Sequence, residues 1–181
     1  MDRKSKYLIL SGSGFILLIL ALNKKKYKSY FNKMQRSEFI KYLYPYAVEI
    51  GGKIGVPAKF IVAQICLETN FGKSELFSKY FNVGGIKAVK NQNFVIYPTY
   101  EYINGIKTKI NSKFAVYPTL TAGLIGYSKI LTNRYFKQYT FKTTDPGKYA
   151  ELLQSGAVKY ATDINYINKI KKLLIDINKI V

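Results

Sequence analysis

The chain has 181 residues, 48% of them hydrophobic, which is enough for one domain with a real core and excludes wholesale disorder. Its 29 basic residues against 10 acids give a net charge of +19, pointing to a polyanionic neighbour: an acidic cell-wall polymer, anionic lipid or nucleic acid. With no histidine and a single cysteine, Cys66, the chain cannot build a Ser-His-Asp or Cys-His nucleophile, an intramolecular disulfide or an ordinary zinc site, so if it is an enzyme, carboxylates are left to do the chemistry.

After a basic N-terminus, 1–6, residues 7–22 read YLILSGSGFILLILAL without a charge, and Lys24, Lys25, Lys26 and Lys28 follow. At a rise of about 1.5 Å per residue this run spans roughly 24 Å as a helix, and flanking lysines can snorkel to cover the remaining bilayer core. Its exit, Leu-Ala-Leu-Asn-Lys, is a poor cleavage site, so the pattern predicts an uncleaved transmembrane anchor over 7–22, with membrane lipid as a partner. Residues 23–36 read as a basic linker lying against anionic headgroups, with Tyr27, Tyr30 and Phe31 as interfacial anchors.

The globular part is predicted over 37–181. Ser37 suits an N-cap, and a helix over 37–50 is expected to kink at Pro45 and stop at Gly51-Gly52. Pro57 suits the first turn of the next helix, which carries Phe60, Ile61, Gln64, Ile65 and Glu68. Ser74 caps a short helix through Tyr80. Residues 94–117 are rich in Tyr, Ile, Val, Phe and Thr, with Asn104-Gly105 between two strand-like runs, the strongest short hairpin signal. Helical patterns return over 119–132, 146–155 and 163–179. The expected fold is α+β, a mainly helical lobe with one inserted β-hairpin.

Three blocks in this order resemble the glucosaminidases of glycoside hydrolase family 73, the peptidoglycan hydrolases of flagellar muramidase-type proteins, autolysins and phage. They are Ala63-Gln64 through Glu68 with Gly72-Lys73-Ser74-Glu75-Leu76, then Asn82-Val83-Gly84-Gly85-Ile86-Lys87, then Lys159-Tyr160-Ala161-Thr162-Asp163 with Asn165-Tyr166. Tyr100-Glu101-Tyr102, Phe114 and Tyr117-Pro118 match the family hairpin in order and spacing. The chain departs from the pattern at Val83-Gly84, Ala115, Lys159 and Ile164, positions that bear on substrate fit more than on the acid. The resemblance implies a lysozyme-like fold with a cleft between the helical lobe and the hairpin, and cleavage of peptidoglycan strands after N-acetylglucosamine, with no metal or cofactor. Such a domain must face the wall, whereas the lysines after the anchor favour keeping it inside. A virion membrane would remove that conflict.

Among the ten acids, most read as caps or solvated helix positions; Glu75 is one of the latter. Glu68 shares a helix face with Gln64 and Ile61. A lone carboxyl on an apolar helix is either a surface charge or a desolvated general acid. Glu101, on the first hairpin arm, either pairs with Lys107 or Lys109 or supplies the second carboxylate a glycosidase commonly needs. Asp163 reads as a cap for the last helix. Tyr160 matches the family tyrosine beside the cleft, where its phenol would orient an acetamido group or a water; packing is the alternative. Gln64, Phe71, Asn82, Tyr102 and Tyr117, in or beside the family blocks, are the candidate substrate-binding residues. Cys66 reads as a small buried hydrophobe. The competing functions are a lytic transglycosylase, suggested by Glu68-Thr69-Asn70-Phe71, and a non-catalytic protein that holds wall polymer or nucleic acid.

Overall fold

The computed structural model describes residues 27–103, 106–133, 143–155, 159–161 and 163–181, with the backbone alone at Glu101, Tyr102 and Lys107. The anchor expected over 7–22 and the Asn104-Gly105 turn lie outside the described residues. Among the described residues no helix is long and apolar enough to cross a membrane.

Helix α3 (Ala58–Thr69) is the centre of the fold. Every residue from Phe60 to Cys66 is fully buried, as expected of a helix that is apolar all round. Helix α2 (Arg36–Ile54), α6 (Pro146–Ser155) and α7 (Tyr166–Asn178) pack against it. Helix α5 (Leu120–Leu131) packs on α2 and adds Leu124, Tyr127 and Leu131 to the core. The short α4 (Glu75–Tyr80) follows α3, capped by the Ser74 hydroxyl, which accepts from the Phe77 N–H.

Two helix boundaries differ from expectation. Helix α2 starts at Arg36, with the Glu38 carboxylate accepting from the Gln35 N–H at 2.8 Å, so Ser37 lies inside the first turn. It also runs through Pro45 and past Gly51-Gly52 to Ile54. Gly51 serves a close approach: a Cβ there would stand 2.5 Å from the Val56 carbonyl oxygen. The stop is Gly55, at φ 70°, whose N–H bonds back to the Gly51 carbonyl.

The largest correction concerns the basic linker. Residues 27–33 form a helix, α1, and Phe31 and Met34 are buried in the core. The Phe31 ring meets Phe77, Tyr42 and Phe39 edge-on at 4.9, 5.6 and 6.2 Å. The globular part therefore begins well before Ser37. Lysines conceal the pattern, but Tyr27, Tyr30, Phe31 and Met34 fall at the i, i+3, i+4, i+7 spacing of an amphipathic helix.

Strands β1 (Phe94–Ile103) and β2 (Ile106–Ala115) form an antiparallel hairpin, paired from Phe94 with Ala115 to Ile103 with Ile106. Exposure alternates along it: positions 96, 98 and 100 and their partners 113, 111 and 109 face solvent, while 95, 97 and 99 and partners 114, 112 and 110 are half-buried or buried. Buried Asn82 fastens the hairpin's base. Its amide donates to the carbonyls of Ile86 and Ala115 at 2.8 and 2.9 Å, and its oxygen accepts from the Ile86 N–H at 2.8 Å. Replacing Asn82 by alanine removes three hydrogen bonds to the backbone at once, with the Ile86 carbonyl keeping the one from the Ala115 N–H. It is expected to destabilise the fold by about 2–4 kcal/mol, read as a lower urea midpoint with unchanged slope.

Candidate active site

Glu68 stands in the last turn of α3, where the chain reverses sharply. The Thr69 hydroxyl donates to the Ile65 carbonyl at 2.6 Å and accepts from the Gly72 N–H at 2.9 Å. Asn70, Phe71 and Gly72 are all left-handed, at φ 49°, 54° and 78°. The Phe71 and Ser74 N–H groups return to the carbonyls of Cys66 and Thr69. At Gly72 a Cβ would lie 2.4 Å from the Phe39 ring, so only glycine fits. The α3 stop is thus locked by packing as well as by hydrogen bonds, and the helix end carrying Glu68 is fixed.

The Glu68 side chain is exposed at the surface, while the protein around its carboxyl partly desolvates it. This desolvation raises its carboxyl pKa above the ordinary value. Tyr160, Tyr166 and Tyr127 lie within electrostatic reach. Burial raises each phenol's pKa first, and the Glu68 charge adds to it. Buried Gln64, one turn before Glu68, donates to the Tyr166 hydroxyl at 2.8 Å. The Tyr166 ring meets that of Tyr160 at 5.7 Å. This chain of contacts ties the start of α7 and the Tyr160 segment to α3 beside the acid. Asp163 caps less directly than expected: α7 takes Asn165 as its N-cap, and Asp163 accepts from the Asn165 N–H at 2.9 Å and pairs with Lys169.

The structure brings together Glu68, Gln64 and Tyr160 of the expected site and adds Tyr166 and Tyr127. Tyr166 was visible in a family block, while Tyr127, in the apolar α5, carries no sequence signal of a site. Three expected substrate contacts also have structural roles. Gln64 is fully buried, Asn82 fastens the hairpin, and Phe71, 9% exposed, lies under the Arg36 guanidinium at 4.7 Å. Tyr117 lies against Gly126 of α5, in a depression of about 730 Å³ shared with Ile86, Gln92 and Lys129. Glu101 and Tyr102 occupy β1 opposite Thr108 and Lys107. Cys66 is buried, and its thiol pKa is pushed up to about 12 by that burial, consistent with an inert core residue.

A larger depression, about 880 Å³, lies between α1 and α2 against Tyr27, Tyr30, Met34 and Tyr42. Its one acid, Glu38, is occupied in capping α2.

Fold and site together define a lysozyme-like glycoside hydrolase domain. The glucosaminidase family, described as mannosyl-glycoprotein endo-beta-N-acetylglucosaminidase, matches residues 44–179, and the chain belongs to it. Among solved structures, a mutant peptidoglycan hydrolase from Sphingomonas sp. A1 is 30% identical, with 79% of this chain and 96% of that one covered at a TM-score of 0.67. A C-terminally truncated glycoside hydrolase domain of Salmonella typhimurium FlgJ is 30% identical over 81% and 100% of the two chains, TM-score 0.65. The catalytic domain of the autolysin Auto from Listeria monocytogenes is 26% identical over 95% and 97%, TM-score 0.68. No curated protein matches the chain.

A raised carboxyl pKa has a stability signature. The folded state holds the Glu68 proton more tightly than the unfolded chain does. Ionisation therefore opposes folding as pH rises from the ordinary glutamate range through the raised folded pKa. Glu68→Gln removes that opposition. Thermal melts are expected to show the variant gaining stability over the wild type at pH 7 relative to pH 4.

Proposed function

We propose that this glucosaminidase-family chain hydrolyses the glycan strand of peptidoglycan after N-acetylglucosamine, with Glu68 as the general acid. The observation that carries the reading is the setting of Glu68: a carboxyl open to solvent, with its pKa raised by desolvation, at the rigid end of the buried helix. Protonated Glu68 donates to the glycosidic oxygen as the bond from that oxygen to the anomeric carbon breaks, and positive charge develops on the sugar. Glu101, on the first strand of the hairpin, takes a proton from the attacking water or stabilises that charge. Tyr160 orients the 2-acetamido group or the water. The net charge of +19 draws the domain to acidic wall polymers.

The relatives named as peptidoglycan hydrolases support this substrate, and the family description supports the glucosaminidase bond specificity. Glu68→Gln is expected to lower turnover on purified peptidoglycan by about 10²–10⁴-fold while the protein stays folded. Mass spectrometry of wild-type products should find reducing N-acetylglucosamine ends. Anhydro-muramic ends would instead identify a transglycosylase. If Glu101→Gln keeps full activity, assistance by the substrate's own acetamido group replaces Glu101 in the mechanism.

Residues 7–22, uncharged and flanked by lysines, anchor the enzyme to a membrane beside its substrate in this reading. A chain starting at Tyr27 is expected to be soluble, folded and active. One starting at Ser37 loses Phe31 and Met34 from the core and is expected to be destabilised by about 3–5 kcal/mol. Recovery of the 27–181 chain in the membrane pellet would refute the anchor.

A further inference from the structure

The hairpin is joined to the rest of the domain at few points. Among the described residues no helix packs along it; its extensive contacts are between its own strands. Its base is pinned by Asn82 and by backbone bonds to the loop at 86–93. A side-chain link reaches farther along the strand. The Tyr97 hydroxyl donates to Glu75 Oε2 at 2.8 Å, joining β1 to the first turn of α4, and the Tyr97 ring meets that of Tyr80 at 6.2 Å.

Glu75 is more than the solvated helix charge its sequence position suggested. Its other oxygen, Oε1, accepts from Lys28 of α1 at 3.0 Å and from Lys79 of α4. Helix α1, helix α4 and the hairpin thus meet on one carboxylate. The hydrogen bonds from Lys79, Tyr97 and Lys28 hold its pKa down at about 2, so the link remains charged at any pH at which the enzyme would work.

We propose that Glu75 is a positioning residue for the reaction, setting the angle of the hairpin through Tyr97 and so the place of strand position 101 relative to the helical lobe. The inference rests on the hydrolase reading above. Positions 97 and 101 lie about 13 Å apart along the strand, at about 3.3 Å per residue. A tilt of roughly 5° about the Tyr97 link moves position 101 by about 1 Å. Misplacements of that size can cost about a hundredfold in rate.

The test compares Tyr97→Phe, Glu75→Gln and the double variant with Lys79→Met, which removes an ion pair from Glu75 but spares the link to β1. Kinetics on purified peptidoglycan are read together with hydrogen exchange of the hairpin amides. Tyr97→Phe and Glu75→Gln are each expected to lower kcat about ten- to a hundredfold with a much smaller change in KM, and to speed hairpin exchange. The double variant should be no worse than the more severe single one, because both break the same link. Lys79→Met should lower the melting temperature and leave kcat unchanged. A Tyr97→Phe protein with wild-type kcat and exchange overturns the proposal, as does a Lys79→Met loss of kcat equal to that of Tyr97→Phe. An inactive wild-type chain would strike the hydrolase reading itself. Faster hairpin exchange in Tyr97→Phe would then still establish the link, without a catalytic role.

Discussion

The burial of α3 is the constraint on which the rest of this structure depends. A helix whose residues from Phe60 to Cys66 are all enclosed must be surrounded, and α2, α6 and α7 do so. Its polar members are then forced into specific arrangements. Gln64 finds the Tyr166 hydroxyl, and Thr69 bonds back to Ile65 while receiving Gly72. Glu68, a residue before Thr69, is the only carboxylate on this helix and sits where it emerges into water. Its position is rigid because the turn after it has no freedom: three left-handed residues in succession, with the Phe39 ring filling the space over Gly72.

Two glutamates seven positions apart have opposite fates, and their surroundings explain both. Glu68 is partly desolvated by the protein around its carboxyl and has no cation within hydrogen-bond reach among the described residues, so its proton is held more tightly than in water. Glu75 is partly open and takes hydrogen bonds from Lys28, Lys79 and Tyr97, so it remains ionised far into acid. An acid catalyst needs the first environment, and a structural tie needs the second. Because both residues flank the same turn, the fold puts the proposed proton donor and the carboxylate bound to the hairpin on adjoining elements.

Much of this was legible in the sequence because it rests on local patterns. The hairpin could be read from strand-like runs around Asn-Gly, α4 from the Ser74 cap, and α3 from its apolar run after Pro57. Glu68 stood out as the candidate acid because so few carboxylates compete for the role. What could not be read were contacts between distant segments. Phe31 belongs to the core because it meets Phe39, Tyr42 and Phe77, and nothing in its lysine-rich surroundings announces those partners. Asn82 and Gln64 look like substrate ligands in a motif, since a buried amide that ties backbone or a phenol has the same identity as one that binds sugar. Gly51-Gly52 read as a helix stop because glycine permits both a left-handed turn and a close approach, and only the neighbouring Val56 carbonyl decides between them.

The claim most open to direct measurement is that the fold raises the carboxyl pKa of Glu68. A carbon-13 titration of the glutamate side-chain carboxyls in the 27–181 chain, assigned with Glu68→Gln and Glu75→Gln, reads each midpoint separately. The account predicts a Glu68 midpoint above the ordinary glutamate value of about 4.3 and a Glu75 midpoint well below it. A Glu68 carboxyl that titrates at or below the ordinary value in the folded protein would contradict its assignment as the general acid.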